Sequence, residues 1–177
     1  MARLDTLDTS TARGSAARML AQLTERAAPG EMVSTMAHSP AVLGGYLDLN
    51  RHTKRVKLAR RTSELISIAI QARLGCDRCL DAHEAAARAM GVTEADIELA
   101  RSGTAATAAD TAAVEFGLLC YMRPRGMTDV RMEELRACGL SDREIADIVV
   151  VVTLNVLTGT FNLVSGLSRP TIDAATP

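Results

Sequence analysis

Aromatic side chains are almost absent from this 177-residue chain, which contains two Tyr, two Phe and no Trp. Its interior must therefore be built from Ala, Leu, Ile, Val and Met, and such a composition favours helices that pack closely together. Apolar residues make up 47% and charged residues 23%, which is typical of a globular protein rather than a disordered one. The length suits one compact domain.

The chain also lacks an excess of positive or negative charge. The formal net charge is -1, so no global field attracts nucleic acid or a membrane surface. The amino terminus has acids at Asp5 and Asp8 and lacks the apolar segment of a secretory signal peptide. The longest apolar stretch, from Ile145 to Val156, contains polar residues and is too short to span a bilayer. We therefore expect a cytoplasmic protein that binds neither nucleic acid nor membranes.

Alternating strand patterns are absent as well, and helical periodicity dominates. The predicted helices cover Arg13 to Ala27, Pro40 to about Asn50, Thr62 to Leu74, Asp77 to Met90, a short segment from Thr93, Ala105 to Tyr121, Thr128 to Cys138, and a long segment that opens with the capping box Ser141-x-x-Glu144. This last helix is apolar on nearly all sides, so we expect it at the centre of the fold or at a subunit interface. The prediction is one all-α domain over residues 13–169, with loose ends at 1–12 and 170–177.

The stretch that carries chemistry runs from Gly75 to His83. Gly75 is placed to end one helix, and the next helix begins among the following residues. Cys76 and Cys79 therefore lie at a helix start, where unpaired N–H groups and the helix dipole favour a thiolate. Helical residues three apart have Cβ atoms roughly 5 to 6 Å apart, so a small adjustment would close a disulfide reversibly. This is the arrangement of a redox dithiol.

Two further residues have side chains suited to proton transfer. His83 follows Cys79 by four residues and so lies one turn further along the same helix face. An imidazole can take a thiol proton directly or through one water. Glu64, on the preceding helix, could orient that imidazole if the two helices pack antiparallel. Spacing alone does not select Glu64 over Glu84.

The four residues together resemble a known signature. The pattern Glu64-x11-Cys76-x2-Cys79-x3-His83 is similar to that of the alkylhydroperoxidase D (AhpD) group in the carboxymuconolactone decarboxylase superfamily. The likeness covers roughly residues 40–167. One position departs from it, because Arg78 stands where some AhpD proteins carry a second histidine. Arginine cannot shuttle protons at neutral pH, but it can stabilise a nearby thiolate.

The resemblance implies an all-α, AhpD-like helical bundle that forms a homo-oligomer, a trimer or a hexamer. It implies a thiol-dependent peroxidase or disulfide reductase that serves in antioxidant defence, with a hydroperoxide substrate and a thiol or dithiol reductant that could be a protein. Cys79 would be the inner, attacking sulfur, and Cys76 the more exposed resolving thiol. Glu64 and His83 would form the proton relay, and no cofactor is implied.

Two other functions stay open. A lyase of the carboxymuconolactone decarboxylase type shares the superfamily, although such enzymes typically lack the C-x-x-C pair. A non-catalytic binding protein is the other, with zinc held by Cys76, Cys79, His83 and Glu64. Structural zinc usually stabilises small units that have little core, whereas this chain is long enough to bury one.

Residues outside this motif receive plainer interpretations. Cys120 and Cys138 have apolar neighbours and are predicted to be small core residues. His38 and His52 have no partner at a telling spacing and are predicted to lie on the surface. A basic run from Arg51 to Arg61 is the only strong cluster of charge, and such a run is more often a solvated helix face than a docking site.

Overall fold

The computed structural model describes residues 2–167, and this part of the chain consists of helices joined by short loops with no β-strand. The helices are α1 (Gly14–Thr24), α2 (Glu31–Met36), α3 (Pro40–Thr53), α4 (Arg60–Leu74), α5 (Asp77–Ala89), α6 (Glu94–Ser102), α7 (Ala108–Met122), α8 (Asp129–Ala137) and α9 (Asp142–Ser165), with a 3-10 turn at Pro124–Gly126. The predicted all-α fold is confirmed.

Helix starts and ends follow the signals predicted from the sequence. Thr93, Thr107 and Thr128 each accept a hydrogen bond from a backbone N–H in the first turn of the helix that follows. Ser141 and Glu144 form the predicted capping box at the start of α9. Only α2 was not predicted as a helix, and Gly44 and Gly45 do not interrupt α3.

Helix α4 is the centre of the molecule. It packs against α5, α6, α7 and α9, and its residues Leu65, Ile66, Ile68, Ala69 and Ile70 are fully buried. A second apolar cluster joins α1, α2 and α3, where Leu20, Met36 and Leu43 are buried. Phe161 of α9 packs against this second cluster. Helix α9 therefore contacts both parts of the fold.

The predicted central position of α9 is confirmed, since it packs against α3, α4 and α7. By length and composition alone, this 24-residue helix is long and apolar enough to cross a membrane. Its buried side, however, includes Asn155 and Asn162 and faces other helices of the domain. This placement is that of a core helix in a helical domain.

The chain ends were predicted to be loose. Residues 2–13 lie before α1, and backbone N–H groups of Arg3 and Leu7 donate hydrogen bonds to the carbonyls of Ser165 and Ser34. The segment 170–177 lies outside the described residues. The domain bounds at 13 and 169 stay a prediction.

Candidate active site

The turn between α4 and α5 brings the predicted site residues together. Gly75 adopts φ 77°, a left-handed conformation that suits glycine, and its N–H caps α4 by donating to the carbonyl of Gln71. Cys76 then occupies the N-cap position of α5, so the second helix runs back along the first. Residues near the start of α4 therefore face residues on the second turn of α5.

His83 and Glu64 meet as a result of this packing. His83 Nδ1 lies 2.7 Å from Glu64 Oε2 although the residues are 19 positions apart in sequence. A carboxylate only accepts hydrogen bonds, so the proton of the neutral imidazole belongs on Nδ1, and Nε2 is left as the basic nitrogen. Both side chains are partly buried, with 30% of His83 and 15% of Glu64 exposed.

Cys76 and Cys79 form a disulfide, and their Cα atoms lie 5.3 Å apart. The pair sits at the first turn of α5, next to the unpaired N–H groups that favour a thiolate after reduction. Both residues are buried, with exposed fractions of 0% for Cys76 and 7% for Cys79. The expectation that Cys76 is the more exposed cysteine is therefore wrong for this oxidised chain, because the backbone N–H of Cys76 bonds to the carbonyl of Gln71 and holds Cys76 against the last turn of α4.

Asn162 was not predicted as a site residue, yet its side chain reaches the dithiol. Its Nδ2 donates a hydrogen bond to Cys79 Sγ at 3.2 Å from the opposite side of the site, on α9. One signal in the sequence could have indicated it. Asn155 and Asn162 are seven residues apart in an otherwise apolar helix, which places two amides on one buried face.

Asn155 has a different set of partners. Its Nδ2 donates to Ser67 Oγ at 2.9 Å, and its Oδ1 accepts from Gln71 Nε2 at 2.9 Å. All three residues are buried, and their hydrogen bonds join α4 to α9. Gln71 Oε1 is buried and has no hydrogen-bond partner among residues 2–167.

A cavity of about 490 Å³ opens beside the relay. His83 and Glu64 both line it, together with Ser67, Asn155 and the apolar side chains of Val151 and Leu154. Neither cysteine lines this cavity. The His83–Glu64 pair is therefore accessible from this cavity, while the disulfide is buried about one helical turn away.

Arg78 was expected to stabilise a nearby thiolate, but its side chain bonds to other groups. Its Nη1 donates to Glu31 Oε2 at 2.5 Å, and to the carbonyl of Leu167 at 3.3 Å. The guanidinium thus bonds to a residue of α2 and to the second residue after α9. A neighbouring carboxylate weakens the positive potential that Arg78 would otherwise apply to a thiolate.

Glu84 is excluded from the relay by its own ion pairs. This buried carboxylate pairs with Arg88 at 3.1 Å and with Arg101 at 2.5 Å, and it therefore joins α5 to α6. Removing one arginine would leave a buried charge only partly compensated. The structure thus identifies Glu64, and not Glu84, as the carboxylate that contacts His83. Spacing in the sequence alone does not distinguish the two.

The remaining cysteines and histidines lie away from the relay. Cys120 and Cys138 are free thiols, half-buried against the main core, and burial raises the pKa of the Cys120 thiol. His38 and His52 are exposed as predicted, with His38 Nε2 at 2.9 Å from the carbonyl oxygen of Asp5. Within residues 2–167, no group of three or more His, Cys, Asp and Glu side chains is arranged to hold a metal ion.

Residues 40–118 match the sequence profile of the carboxymuconolactone decarboxylase family. That segment includes all four predicted site residues. The match covers less than half of the chain, and over that segment the chain is similar to the family. The uncharacterised protein YdfG of Bacillus subtilis is 36% identical over 64 residues, which are 36% of this chain and 44% of YdfG. The chain thus spans less than half of that relative's length.

Solved structures share the fold of this chain over most of its length. The alkylhydroperoxidase AhpD core of a peroxidase-related protein from Ralstonia eutropha has a TM-score of 0.79 at 19% identity, with 97% of this chain and 93% of that one covered. A peroxidase-related protein from Silicibacter has a TM-score of 0.75 at 17% identity, with 93% of this chain and 90% of that chain covered. A protein of unknown function from Agrobacterium tumefaciens has a TM-score of 0.63 at 24% identity, with 77% of this chain and 94% of that chain covered. That protein is suggested to be the antioxidant defence protein AhpD.

Proposed function

We propose that this protein is a thiol-dependent peroxidase that uses Cys76 and Cys79 as its redox pair. The observation that carries the proposal is the disulfide at the start of α5, one turn before a histidine that is hydrogen-bonded to a carboxylate. A dithiol at a helix start is favoured as a nucleophile, and the His83–Glu64 pair supplies a base next to it.

The proposed reaction balances as follows. The thiolate of Cys79 attacks the outer oxygen of a hydroperoxide, the O–O bond breaks, and the alcohol leaves with a proton supplied through His83. Cys79 is then a sulfenic acid. The thiol of Cys76 displaces its hydroxyl group as water and forms the disulfide. A thiol or dithiol reductant, which could be a protein, then restores both thiols by disulfide exchange.

Glu64 acts through His83 in this scheme. Its hydrogen bond to Nδ1 holds the ring in one orientation, with Nε2 free for the reacting groups. It also stabilises the imidazolium that forms after His83 has taken a proton. We place this activity in the cytoplasm as antioxidant defence, where reduced thiols are maintained.

A thiol titration tests the proposal. The reduced chain has four free thiols, and one equivalent of hydroperoxide should remove two of them. Peptide mapping should find the new bond between Cys76 and Cys79. As a matched control, a variant with Cys120→Ala and Cys138→Ala should also lose two thiols. Unchanged thiol counts in the natural sequence, or one equivalent of zinc per chain, would contradict the proposal.

A second candidate rests on the cavity. Because Glu64 and His83 line it and the cysteines do not, the pair could carry out acid-base chemistry on a bound substrate without sulfur, as in a decarboxylase-type lyase. Replacing both Cys76 and Cys79 with Ser separates the two functions. The peroxidase loses its turnover in that variant, whereas a lyase keeps its activity and loses it only with His83→Ala.

A further inference from the structure

Asn162 is the residue whose surroundings the proposed reaction leaves unexplained. It is only 6% exposed, and its Nδ2 donates to the sulfur of Cys79. Its Oδ1 is also buried, and it has no hydrogen-bond partner among residues 2–167. Burying an amide costs free energy unless its hydrogen bonds are made, so a core residue that served only for packing would be apolar here.

The two sulfur atoms of the dithiol differ in the hydrogen-bond donors that reach them. Within the described chain, Cys79 Sγ receives the Asn162 amide, while no side chain donates a hydrogen bond to Cys76 Sγ. Hydrogen bonding to the charged form of a group favours that form. After reduction, the same N–H would therefore favour the ionised state of one sulfur over that of the other.

We propose that Asn162 is a further catalytic residue, which stabilises the ionised Cys79 sulfur and thereby selects it as the attacking one. This inference rests on the proposed redox function of the pair. The Nδ2–H donor favours the thiolate over the thiol, because a hydrogen bond to the charged form of a group stabilises that form.

The size of the effect follows from ordinary magnitudes. Loss of a hydrogen bond to a charged group should raise the pH midpoint of Cys79 alkylation by about one to two units. For each unit of that rise, the thiolate fraction below the midpoint falls about tenfold. The rarer thiolate is also more nucleophilic, with a Brønsted coefficient of about 0.4 to 0.5, so the alkylation rate falls by roughly threefold for each unit.

The experiment measures alkylation of the fully reduced chain from acid to alkaline pH, read at each cysteine by mass spectrometry. Asn162→Leu keeps the approximate size and removes the donor, and we expect the Cys79 midpoint to rise. Asn162→Asp replaces the donor with an acceptor of negative charge, and we expect a larger rise. Cys76 should shift less than Cys79 in both variants. No hydroperoxide is used, so this result is separable from failure of the proposed peroxidase.

Asn155→Leu is the matched control. It removes another buried amide from the same face of α9, one that bonds to Ser67 and Gln71 rather than to sulfur. We expect it to lower the unfolding midpoint in urea without moving the alkylation midpoint of Cys79. A general structural role for buried amides predicts instead that all three variants shift alike.

Two outcomes would overturn the proposal. One is an unchanged Cys79 midpoint in folded Asn162→Leu. The other is an equal shift at Cys76 and Cys79. If neither Asn162 variant folds, the natural sequence provides the test by NMR. The Asn162 side-chain amide signals should then shift with the same pH midpoint as Cys79 alkylation, and signals that stay constant through that midpoint would reject the proposal.

Discussion

At the scale of single residues, His83 is the proposed base for the dithiol. His83→Ala leaves both cysteines in place but removes that base, so the pH at which Cys79 reacts should rise. A general base accelerates a reaction about a hundred- to ten-thousand-fold, and we expect the lower end because the helix dipole and the Asn162 hydrogen bond to Cys79 remain. Glu64→Gln should act in the same direction more weakly, since Glu64 bonds only to His83 Nδ1.

Site-resolved alkylation by mass spectrometry provides the measurement for this pair. His52→Ala is a suitable control, because His52 is exposed and lies outside the relay. Identical Cys79 profiles in the natural sequence and in His83→Ala would show that His83 is not the base.

Arg78 should affect the pH at which Cys79 reacts less than its position between the cysteines suggests. It pairs with Glu31, and about two fifths of each side chain is exposed, so the pair contributes about 0 to 1 kcal/mol. Arg78→Gln should therefore raise the Cys79 alkylation midpoint by less than about half a unit. Glu31→Gln removes the neutralising carboxylate and should lower the same midpoint slightly. Shifts of equal sign in the two variants would contradict this account.

The role of a residue could be predicted from the sequence only where the spacing between residues determines it. The i and i+4 relation of Cys79 and His83 follows from helix geometry, whereas Glu64 was selected through resemblance to a family. Asn162 was missed because its role depends on how α9 crosses α5, and no periodicity encodes that crossing. The relative exposure of Cys76 was predicted wrongly for a similar reason, since burial depends on the tertiary environment.

At the scale of elements, periodicity and caps predicted most helices to within a few residues. The one missed helix, α2, has only six residues, which is too short for an apolar repeat to be recognised. Gly44 and Gly45 were expected to weaken α3. Pro40 at its first position and the Ser39 cap help α3 to continue through both glycines.

Gly159 tests the close packing of α9 on α4. A Cβ at this position would lie 2.5 Å from Gln71 Oε1 and would also overlap Leu74, so Gly159→Ala should destabilise the fold by about 1 to 3 kcal/mol. Gly45→Ala is the matched control, because nothing lies within 4 Å of its Cβ. It should stabilise the fold by about 0.5 to 1 kcal/mol through helix propensity. Urea unfolding of both variants measures the difference, and equal effects would contradict close packing at Gly159.

At the scale of the whole molecule, the fold extends beyond the segment that is similar to the family profile. Residues 40–118 contain the relay and the dithiol, but α9 and the amino-terminal helices lie outside that segment. These outer elements contribute Asn162 on Cys79 and Glu31 on Arg78. The segment 40–118 therefore contains the four candidate site residues, and parts of the chain outside it supply their immediate surroundings.

The last prediction concerns assembly. Helix α9 carries Val149 and Val164 on its outer side, with exposed fractions of 46% and 62%, and exposed Ala146, Thr153 and Thr160 follow the same helical spacing. This face would bury apolar surface against another subunit, so we expect a homo-oligomer by light scattering at micromolar concentration. The resemblance to AhpD proteins implies that it is a trimer or a hexamer. Val149→Lys combined with Val164→Lys should reduce the mass towards that of the monomer. Val130→Lys, at an exposed valine of α8, should not. A monomeric natural chain, or dissociation only in the α8 variant, would contradict an interface on α9.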